Sequence, residues 1–430
     1  MIMKMHSLRR FGILTASIAA LHAVQHANAQ PFTTGMAAGQ VVGQANLTTV
    51  NTTPSQSVTH SPGSVAFSST GKMAVTEING NRVLLWNSIP TTNGQPADVV
   101  IGQTNFTATG LSGTSSSTLT LPAAVAFSPD GSKLLIADGL NNRVLIFNSI
   151  PVTNGAAADV VIGQADFTSN TGTTTQTGLK VPSALLVTPD GRLLITDQNN
   201  HRVLVFNSIP TTNGAAADFV IGQTDFVTEV SGTTSGKFNV PEGLARAPDG
   251  RLLVAAFANN RVLIFSGIPT SNGAAAVNVI GQTTLTSGAN PASPAANNMD
   301  GPLGLAVSPS GQLAISDHSD NRVLVFNSVP TTNGASADVV LGQPNTTSDG
   351  VYNPGGTPSA TNMRVADQSA FSADGRLWVP GRDMRRVMVF GTAAPPTDTG
   401  ATGGGLATDV RAPTLSTSWV ICMDNIYPTF

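Results

Sequence analysis

The stretch that decides the fold is NRVLIF, residues 142–147, because close copies of it recur along the chain. The copies share an arginine followed by an apolar run, and their arginines are 59 to 64 residues apart, at Arg82, Arg143, Arg202, Arg261, Arg322 and Arg386. A Gly-Gln pair recurs at nearly the same interval, with its glutamine at Gln44, Gln103, Gln164, Gln223, Gln282 and Gln343. The chain of 430 residues therefore carries six copies of a unit of about 60 residues, which indicates a repeat architecture.

Each unit contains four short apolar runs separated by turn residues. In the second copy these runs are residues 122–128, 133–138, 143–150 and 159–165. The runs are rich in Val, Ile, Leu and Phe, and no long stretch shows the 3.6-residue period of an amphipathic helix. Six four-stranded units arranged radially make a β-propeller. The sequence therefore predicts an all-β, six-bladed propeller of four-stranded blades.

The sixth unit has no Gly-Gln strand after Phe390, so its fourth strand must come from elsewhere in the chain. Two segments could supply it, residues 40–46 and residues 407–411. We favour residues 40–46, because pairing the two ends of the propeller closes the ring and removes an exposed sheet edge. On this interpretation the propeller extends over residues 30–391, and residues 392–430 form a low-complexity linker and a C-terminal tail.

Composition excludes several classes of partner and site. Charged residues make up only 10% of the chain and the net charge is −3, so no basic excess exists to neutralise the phosphates of a nucleic acid. The single cysteine, Cys422, rules out an internal disulfide and a cysteine-based zinc site. No apolar run reaches 18 residues, so we predict no membrane span. We expect a monomer.

Residues 1–29 have the features of a secretory signal. A basic start, at Lys4, Arg9 and Arg10, precedes a short apolar stretch, and an A-x-A cleavage site ends at Ala29. The adjacent arginines resemble a twin-arginine signal, but the surrounding pattern favours ordinary secretion. We therefore expect a secreted protein, periplasmic or extracellular, that is cleaved near Ala29.

The repeated pattern resembles the NHL repeat. It is seen in LLIAD over residues 134–138, followed by NNRV over residues 141–144, and again in NNHRV over 199–203 and DHSDNRV over 317–323. The resemblance extends over residues 40–391 and implies a six-bladed propeller. Because propellers of this family have binding, sensing and catalytic roles, the resemblance implies the fold and leaves the activity open.

The two faces of the predicted propeller differ. Antiparallel strands alternate in direction, so one face carries the turns between first and second strands and near-identical IPTTNG loops, as at residues 89–94 and 209–214. The other carries the turns between second and third strands and the connections between blades, as at residues 107–121 and 227–240. These connections are long, differ between blades and are rich in Thr, Ser, Asn and Gly, so we place a binding site on this long-loop face. A solvated surface would have the same composition.

Charged and polar residues occur where the first strand of each blade enters the central channel. The starts of these strands are His60, Thr120, Lys180, Asn239, Asp300 and Arg364, and Glu242 and Asp367 follow the Asn and the Arg by three positions. We predict a ligand site at the channel mouth made of His60, Lys180, Glu242, Asp300, Arg364 and Asp367. A polar rim that keeps the channel wet is the alternative interpretation.

Three histidines remain after the signal, and three His ligands with an open fourth position would suit a catalytic zinc ion. They are His60, His201 and His318, in the first, third and fifth units. His201 occupies a position that is Asn in four other copies, so His60 and His318 are the stronger candidates. Zinc or calcium in the central channel is therefore an open possibility.

Acidic residues precede the repeated arginine by five positions in four units, at Glu77, Asp138, Asp197 and Asp317. Because they repeat, we interpret these carboxylates as structural groups that cap local turns and pair with arginine or with backbone N–H groups. The same structural role is assigned to Arg82, Arg143, Arg202, Arg261 and Arg322. The fourth unit has Ala256 and the sixth has Gly381 at the acidic position.

These observations lead to two main hypotheses for function. The favoured one is a secreted, non-catalytic propeller that binds a protein, peptide or glycan ligand on its long-loop face. The alternative is a metal-dependent lyase or lactone hydrolase with its site at the channel mouth, and a role in envelope assembly is a further possibility.

Overall fold

The computed structural model describes residues 30–111, 113–350 and 358–392, and these contain six four-stranded antiparallel sheets. The first strand of the described residues is β1 (Gln40–Val42). Blade 1 is β2 (Pro62–Phe67), β3 (Met73–Glu77), β4 (Arg82–Trp86) and β5 (Val99–Ile101). Blade 2 is β6 (Pro122–Phe127), β7 (Leu134–Asp138), β8 (Arg143–Phe147) and β9 (Val160–Ile162). Blade 3 is β10 (Pro182–Val187), β11 (Leu193–Asp197), β12 (Arg202–Phe206) and β13 (Phe219–Ile221).

The second half of the ring repeats this order. Blade 4 is β14 (Pro241–Arg246), β15 (Leu252–Ala256), β16 (Arg261–Phe265) and β17 (Asn278–Ile280). Blade 5 is β18 (Pro302–Val307), β19 (Leu313–Asp317), β20 (Arg322–Phe326) and β21 (Val339–Leu341). Blade 6 contains β22 (Ala370–Phe371), β23 (Leu377–Gly381) and β24 (Arg386–Phe390). The prediction of an all-β propeller with six four-stranded blades is confirmed.

The fourth strand of blade 6 is β1, from the other end of the propeller. It pairs antiparallel with β24, and Gln40 lies opposite Val389, Val41 opposite Met388 and Val42 opposite Val387. The alternative strand at residues 407–411 lies outside the described residues, as do the signal segment 1–29 and the tail 414–430. Among residues 30–111, 113–350 and 358–392, no helix is long and apolar enough to cross a bilayer.

The blades are held together by apolar side chains between neighbouring sheets. Strands such as β7 and β12 are buried along their whole length, because each face of a blade packs against the next blade. At the junction of blades 6 and 1, Phe67 meets Trp378 edge-on, with ring centroids 5.3 Å apart. Each fully buried aliphatic or aromatic side chain contributes about 1.5–3 kcal/mol.

Buried arginines tie the long connections to the blades. Arg143 is fully buried, and its Nε donates to Asp138 Oδ2 at 2.8 Å. Its Nη1 donates to the carbonyl of Phe167 at 2.6 Å and its Nη2 to that of Ser115 at 2.8 Å, so one side chain holds the connections on both sides of the blade. The other carboxylate oxygen accepts the backbone N–H of Thr120 at 2.6 Å. The long loops are therefore fixed in place by buried hydrogen bonds.

Blades 1, 3 and 5 repeat this arrangement, with the pairs Glu77–Arg82, Asp197–Arg202 and Asp317–Arg322. Blade 4 lacks the acid. There the guanidinium of Arg261 keeps its hydrogen bonds to loop carbonyls, but its Nε is buried without a hydrogen-bond partner among the described residues. In the blades that have the acid, it also accepts a backbone N–H just before the first strand. In blade 4 Asn259 Oδ1 accepts the equivalent N–H, that of Asn239, at 2.8 Å.

The glutamine of the Gly-Gln marker also forms hydrogen bonds that hold the connections between blades. The Gln164 side chain donates to the carbonyl of Asn142 and to that of Thr171, both at 2.9 Å. Asn142 has a positive φ of 53°, a left-handed conformation that Asn tolerates better than most residues. Its own Oδ1 accepts the backbone N–H of Val181 at 2.8 Å, in the next blade. The two markers that revealed the repeat thus fasten each blade to the next.

Candidate functional site

The long-loop face opens at its centre into a cavity of about 260 Å³ at the mouth of the channel. Two sets of equivalent positions build most of its wall. One is the second residue of each first strand, represented by Ala123, Ser183, Glu242 and Leu303, with Asp367 at the matching place in blade 6. The other is the residue after each second strand, represented by Ile78, Gln198, Phe257, His318 and Arg382. Blades 3 to 6 each contribute a residue from both sets, whereas blade 1 contributes Ile78 and blade 2 contributes Ala123.

Asp367 and Arg382 form the ion pair of this cavity. The guanidinium donates from Nε to Oδ2 at 2.7 Å and from Nη2 to Oδ1 at 2.8 Å. The Asp367 side chain is 1% exposed, whereas that of Arg382 is 31% exposed. Burial raises the pKa of Asp367 to about 6, against the opposing effect of Arg382. The carboxylate is therefore mostly ionised at pH 7 and is matched by one guanidinium.

Glu242 is the carboxyl group without a cationic partner. Its Oε1 accepts a hydrogen bond from Gln198 Nε2, and the Ser183 hydroxyl is a second neutral partner. Burial raises the pKa of Glu242 to about 8 and the negative Asp367 adds to the shift, whereas Arg382 acts in the opposite direction. The side chain is half-buried because part of it faces the cavity. At pH 7 this group is therefore mostly protonated.

His318 supplies an unused hydrogen-bonding atom. Its Nδ1 is buried and has no partner among the described residues. The ring packs edge-on against Phe257, with centroids 5.7 Å apart and an interplanar angle of 71°. Burial lowers the pKa of His318, and Arg382 acts in the same direction, so the imidazole is neutral at pH 7. A neutral imidazole offers one acceptor and one donor nitrogen.

Gln368 closes the base of the cavity. Its side-chain Nε2 donates to the backbone carbonyl of Ser183, which links blade 6 to blade 3 on the opposite side of the ring. Beyond it lies a second cavity of about 260 Å³, lined by apolar residues such as Phe67, Phe127 and Leu244. Because Gln368 lines both cavities, it lies between a chamber at the long-loop face that contains the charged side chains and a second chamber whose lining includes no charged residue.

Comparison with known proteins agrees with the repeat pattern. The family model described as the NHL repeat matches residues 179–206 and 299–326, in blades 3 and 5. The chain is a six-bladed β-propeller that contains NHL repeats. No curated protein matches it.

Several solved structures are similar to this chain at low sequence identity. A chain of the mitotic checkpoint complex is 14% identical with a TM-score of 0.46, over 90% of this chain and 100% of that one. A chain of Kuenenia stuttgartiensis hydrazine synthase is 12% identical with a TM-score of 0.47, over 78% of this chain and 96% of that one. A streptogramin B lyase is 12% identical with a TM-score of 0.41, over 80% of this chain and 95% of that one.

The NHL propeller brings together only part of the residue set predicted from the sequence. Glu242 and Asp367 line the cavity, and so does His318, which the sequence suggested as a metal ligand. The other predicted residues, His60, Lys180, Asp300 and Arg364, do not line it. They precede the first strands, and the backbone N–H groups of His60, Lys180 and Asp300 donate to the repeated carboxylates of their own blades.

The side chains of these outer residues form a separate layer on the long-loop face. Lys180 pairs with Glu229 at 3.5 Å and Arg364 pairs with Asp383 at 3.0 Å, with all four side chains 37–50% exposed. Sequence reasoning missed the other cavity residues, among them Arg382, Gln198, Ser183 and Phe257. The sequence contained a signal for Arg382, Gln198 and Phe257, because the residue that follows the second strand differs in every copy.

The structure also bears on the three-histidine hypothesis. In the part of the chain that the structure describes, no group of three His, Cys, Asp or Glu side chains is arranged to hold a metal ion. His201 has the bonding pattern of the asparagines it replaces, because its Nδ1 accepts the backbone N–H of Val240 at 3.1 Å. His60 is near Arg82 and Arg385, whereas His318 lies in the mouth cavity.

Proposed function

We propose that this NHL-repeat propeller binds a small polar ligand in the mouth cavity of its long-loop face. The observation that carries the proposal is a pair of side chains, Glu242 and His318, that line the same cavity and each lack one kind of partner. Glu242 has no cationic partner, and His318 has a buried nitrogen without a hydrogen bond among the described residues. A ligand that contacts Glu242 and His318 together would supply both missing partners.

The energetics support binding over a purely structural role. Leaving a buried donor or acceptor unsatisfied costs about 1–3 kcal/mol, and folded proteins retain few such groups. In four of the six described blades the buried arginine is instead paired with a buried acid, as with Asp138 and Arg143. The mouth cavity departs from that rule in blades 3 to 6, and such departures are typical of functional sites.

The size and walls of the cavity fit a small molecule. Its volume of about 260 Å³ lies just below the usual range of drug-sized ligand pockets, ~300–1,000 Å³. Gln368 forms its floor, and apolar groups such as Phe257 and Leu303 complete the wall. The buried arginines hold the surrounding loops, so the site is formed before a ligand arrives, which reduces the entropic cost of binding.

Secretion is part of the proposal. It is supported by the basic start, the short apolar stretch and the cleavage pattern that ends at Ala29. We expect the exported protein to begin at Gln30. N-terminal sequencing of protein recovered outside the cytoplasm tests this, and an uncleaved N-terminus in that fraction contradicts it.

The binding site is tested by a thermal-shift screen of uncharged, anionic and cationic small molecules, followed by calorimetry on those that raise Tm. We expect ligands that stabilise the wild type and lose their effect in Glu242→Gln and His318→Ala, since ligand stabilisation scales with occupancy of the folded state. Glu229→Gln is the matched control, because Glu229 is half exposed and does not line the cavity. Ligands that stabilise all three variants equally, or the lack of any stabilising ligand, would contradict the proposal.

A further inference from the structure

The charges around the mouth cavity determine which chemical class of ligand it accepts. Asp367 and Arg382 neutralise each other, and two of the three guanidinium nitrogens are used in that pair. Glu242 forms no ion pair with any of the described residues, and its hydrogen-bond partners, Gln198 and Ser183, are neutral. With Glu242 ionised, the cavity therefore has a net charge of −1.

The unused hydrogen-bonding atoms of the cavity are mainly acceptors. Nδ1 of His318 is unpaired, and in a neutral imidazole it can serve as an acceptor. The carboxylate of Glu242 has acceptor sites beyond the one that Gln198 fills. Phe257 lines the same space, and an aromatic wall is compatible with a cation. A group with a positive charge and several N–H donors matches these features.

We infer that the ligand of the mouth cavity is a small organic amine, bound as its ammonium ion with one N–H directed to Glu242 and another to His318. The inference rests on the proposed function of the cavity and specifies its ligand class. The ammonium ion supplies the cationic partner that Glu242 lacks among the described residues. The attached carbon chain lies against Phe257 and Leu303. Arg382 stays paired with Asp367.

Binding of this kind displaces a proton. The free protein holds Glu242 mostly protonated at pH 7, since burial and Asp367 outweigh Arg382, Gln198 and Ser183. An adjacent ammonium ion favours the carboxylate form. The proton then leaves Glu242 for the solvent as the amine binds. His318 keeps its neutral form, because an adjacent cation lowers its pKa further.

The test is isothermal titration calorimetry at pH 7.5 with straight-chain amines of three to six carbons, and with the alcohols of the same lengths as uncharged controls. Buffers of different ionisation enthalpy report the number of protons released. We expect amines to bind at least ten-fold more tightly than the alcohols, with release of up to one proton. Glu242→Gln should weaken amine binding at least ten-fold and abolish proton release, whereas Glu229→Gln should leave both unchanged.

The outcomes separate this inference from the proposed function. If neutral or anionic molecules bind in a manner that depends on His318, while every amine binds more weakly than about 1 mM, the cavity is a ligand site for another class and the inference is wrong. Amine binding that survives Glu242→Gln also overturns the inference. If no molecule of any class binds in dependence on Glu242 or His318, the proposed function itself fails.

Discussion

Two sets of buried charges lie within a few strands of each other and follow opposite rules. The repeated pairs, such as Asp197–Arg202, have the same geometry in four blades and satisfy almost every polar atom. The mouth cavity has a different residue at each equivalent position, and among the described residues Glu242 has no ion-pair partner and His318 Nδ1 has no hydrogen bond. In this repeat protein, identity between copies therefore marks the framework, and difference between copies marks the candidate site.

The largest effect that this comparison predicts is on the framework side. Arg202→Ala leaves Asp197 as a buried carboxylate without its partner and releases the loop carbonyls of Thr175 and Phe226. We expect a loss of about 3–5 kcal/mol in the free energy of unfolding, measured by urea denaturation. The matched control is Arg192→Ala, whose pair with Asp190 is partly exposed and should be worth less than about 1 kcal/mol. Equal losses in the two variants would mean that the buried pairs do not anchor the blades.

The second prediction concerns the pH dependence of stability that Glu242 creates. Its pKa is about 8 in the folded protein and near 4.5 when unfolded, so the folded state holds more protons between these values. Stability from this group is therefore greatest at low pH and falls by up to a few kcal/mol as the pH rises from about 4.5 to 8. Glu242→Gln should flatten the decline between pH 6.5 and 8, where the contribution of Asp367, with a pKa of about 6, is mostly complete.

Chemical denaturation at intervals across pH 5–8 measures this slope. Glu229→Gln is the control, because hydrogen bonding to Thr174 lowers the pKa of Glu229 and moves its own contribution below this range. An unchanged slope in Glu242→Gln would show that the carboxyl group is already ionised in the free protein. The cavity would then be negative at rest, and the argument for proton release would fail.

Much of the framework could be predicted from sequence for the same reason that the cavity could not. The spacing of the arginines and of the Gly-Gln pairs determines six blades, because one local solution is repeated with the same residues, as in Arg143 and Gln164. Glu242 and Asp367 were found because both are charged residues where their copies carry small or apolar ones. Arg382, Gln198 and Phe257 were missed because a position after a strand reads as a loop, and only the radial arrangement shows that these positions converge.

Blade 4 offers a prediction of intermediate size, because it has the framework arginine without its acid. Ala256→Asp places a carboxylate beside the unpartnered Nε of Arg261, whose pKa burial lowers to about 10. We expect a gain of about 1–2 kcal/mol in unfolding free energy, as for a hydrogen bond to a charged group. Ala256→Asn supplies an acceptor without the charge and should gain less. Destabilisation by Asp would show that blade 4 has packed tightly around Ala256, so that the blades are not interchangeable at this position.

The smallest change in stability is expected at His201. This residue has the hydrogen-bonding pattern of the framework, although as a histidine it was also a candidate metal ligand. Its backbone has a positive φ of 51°, and Nδ1 accepts the N–H of Val240 as Asn142 Oδ1 accepts that of Val181. His201→Asn installs the residue that other blades use, in a conformation that Asn tolerates well, so Tm and urea midpoint should correspond to a change within about 0.5 kcal/mol. Ligand affinity should be unaltered, because His201 does not line the mouth cavity. A variant that folds normally but loses ligand binding would move His201 from the framework to the site, and the rule that bonding pattern distinguishes the two would not hold for this blade.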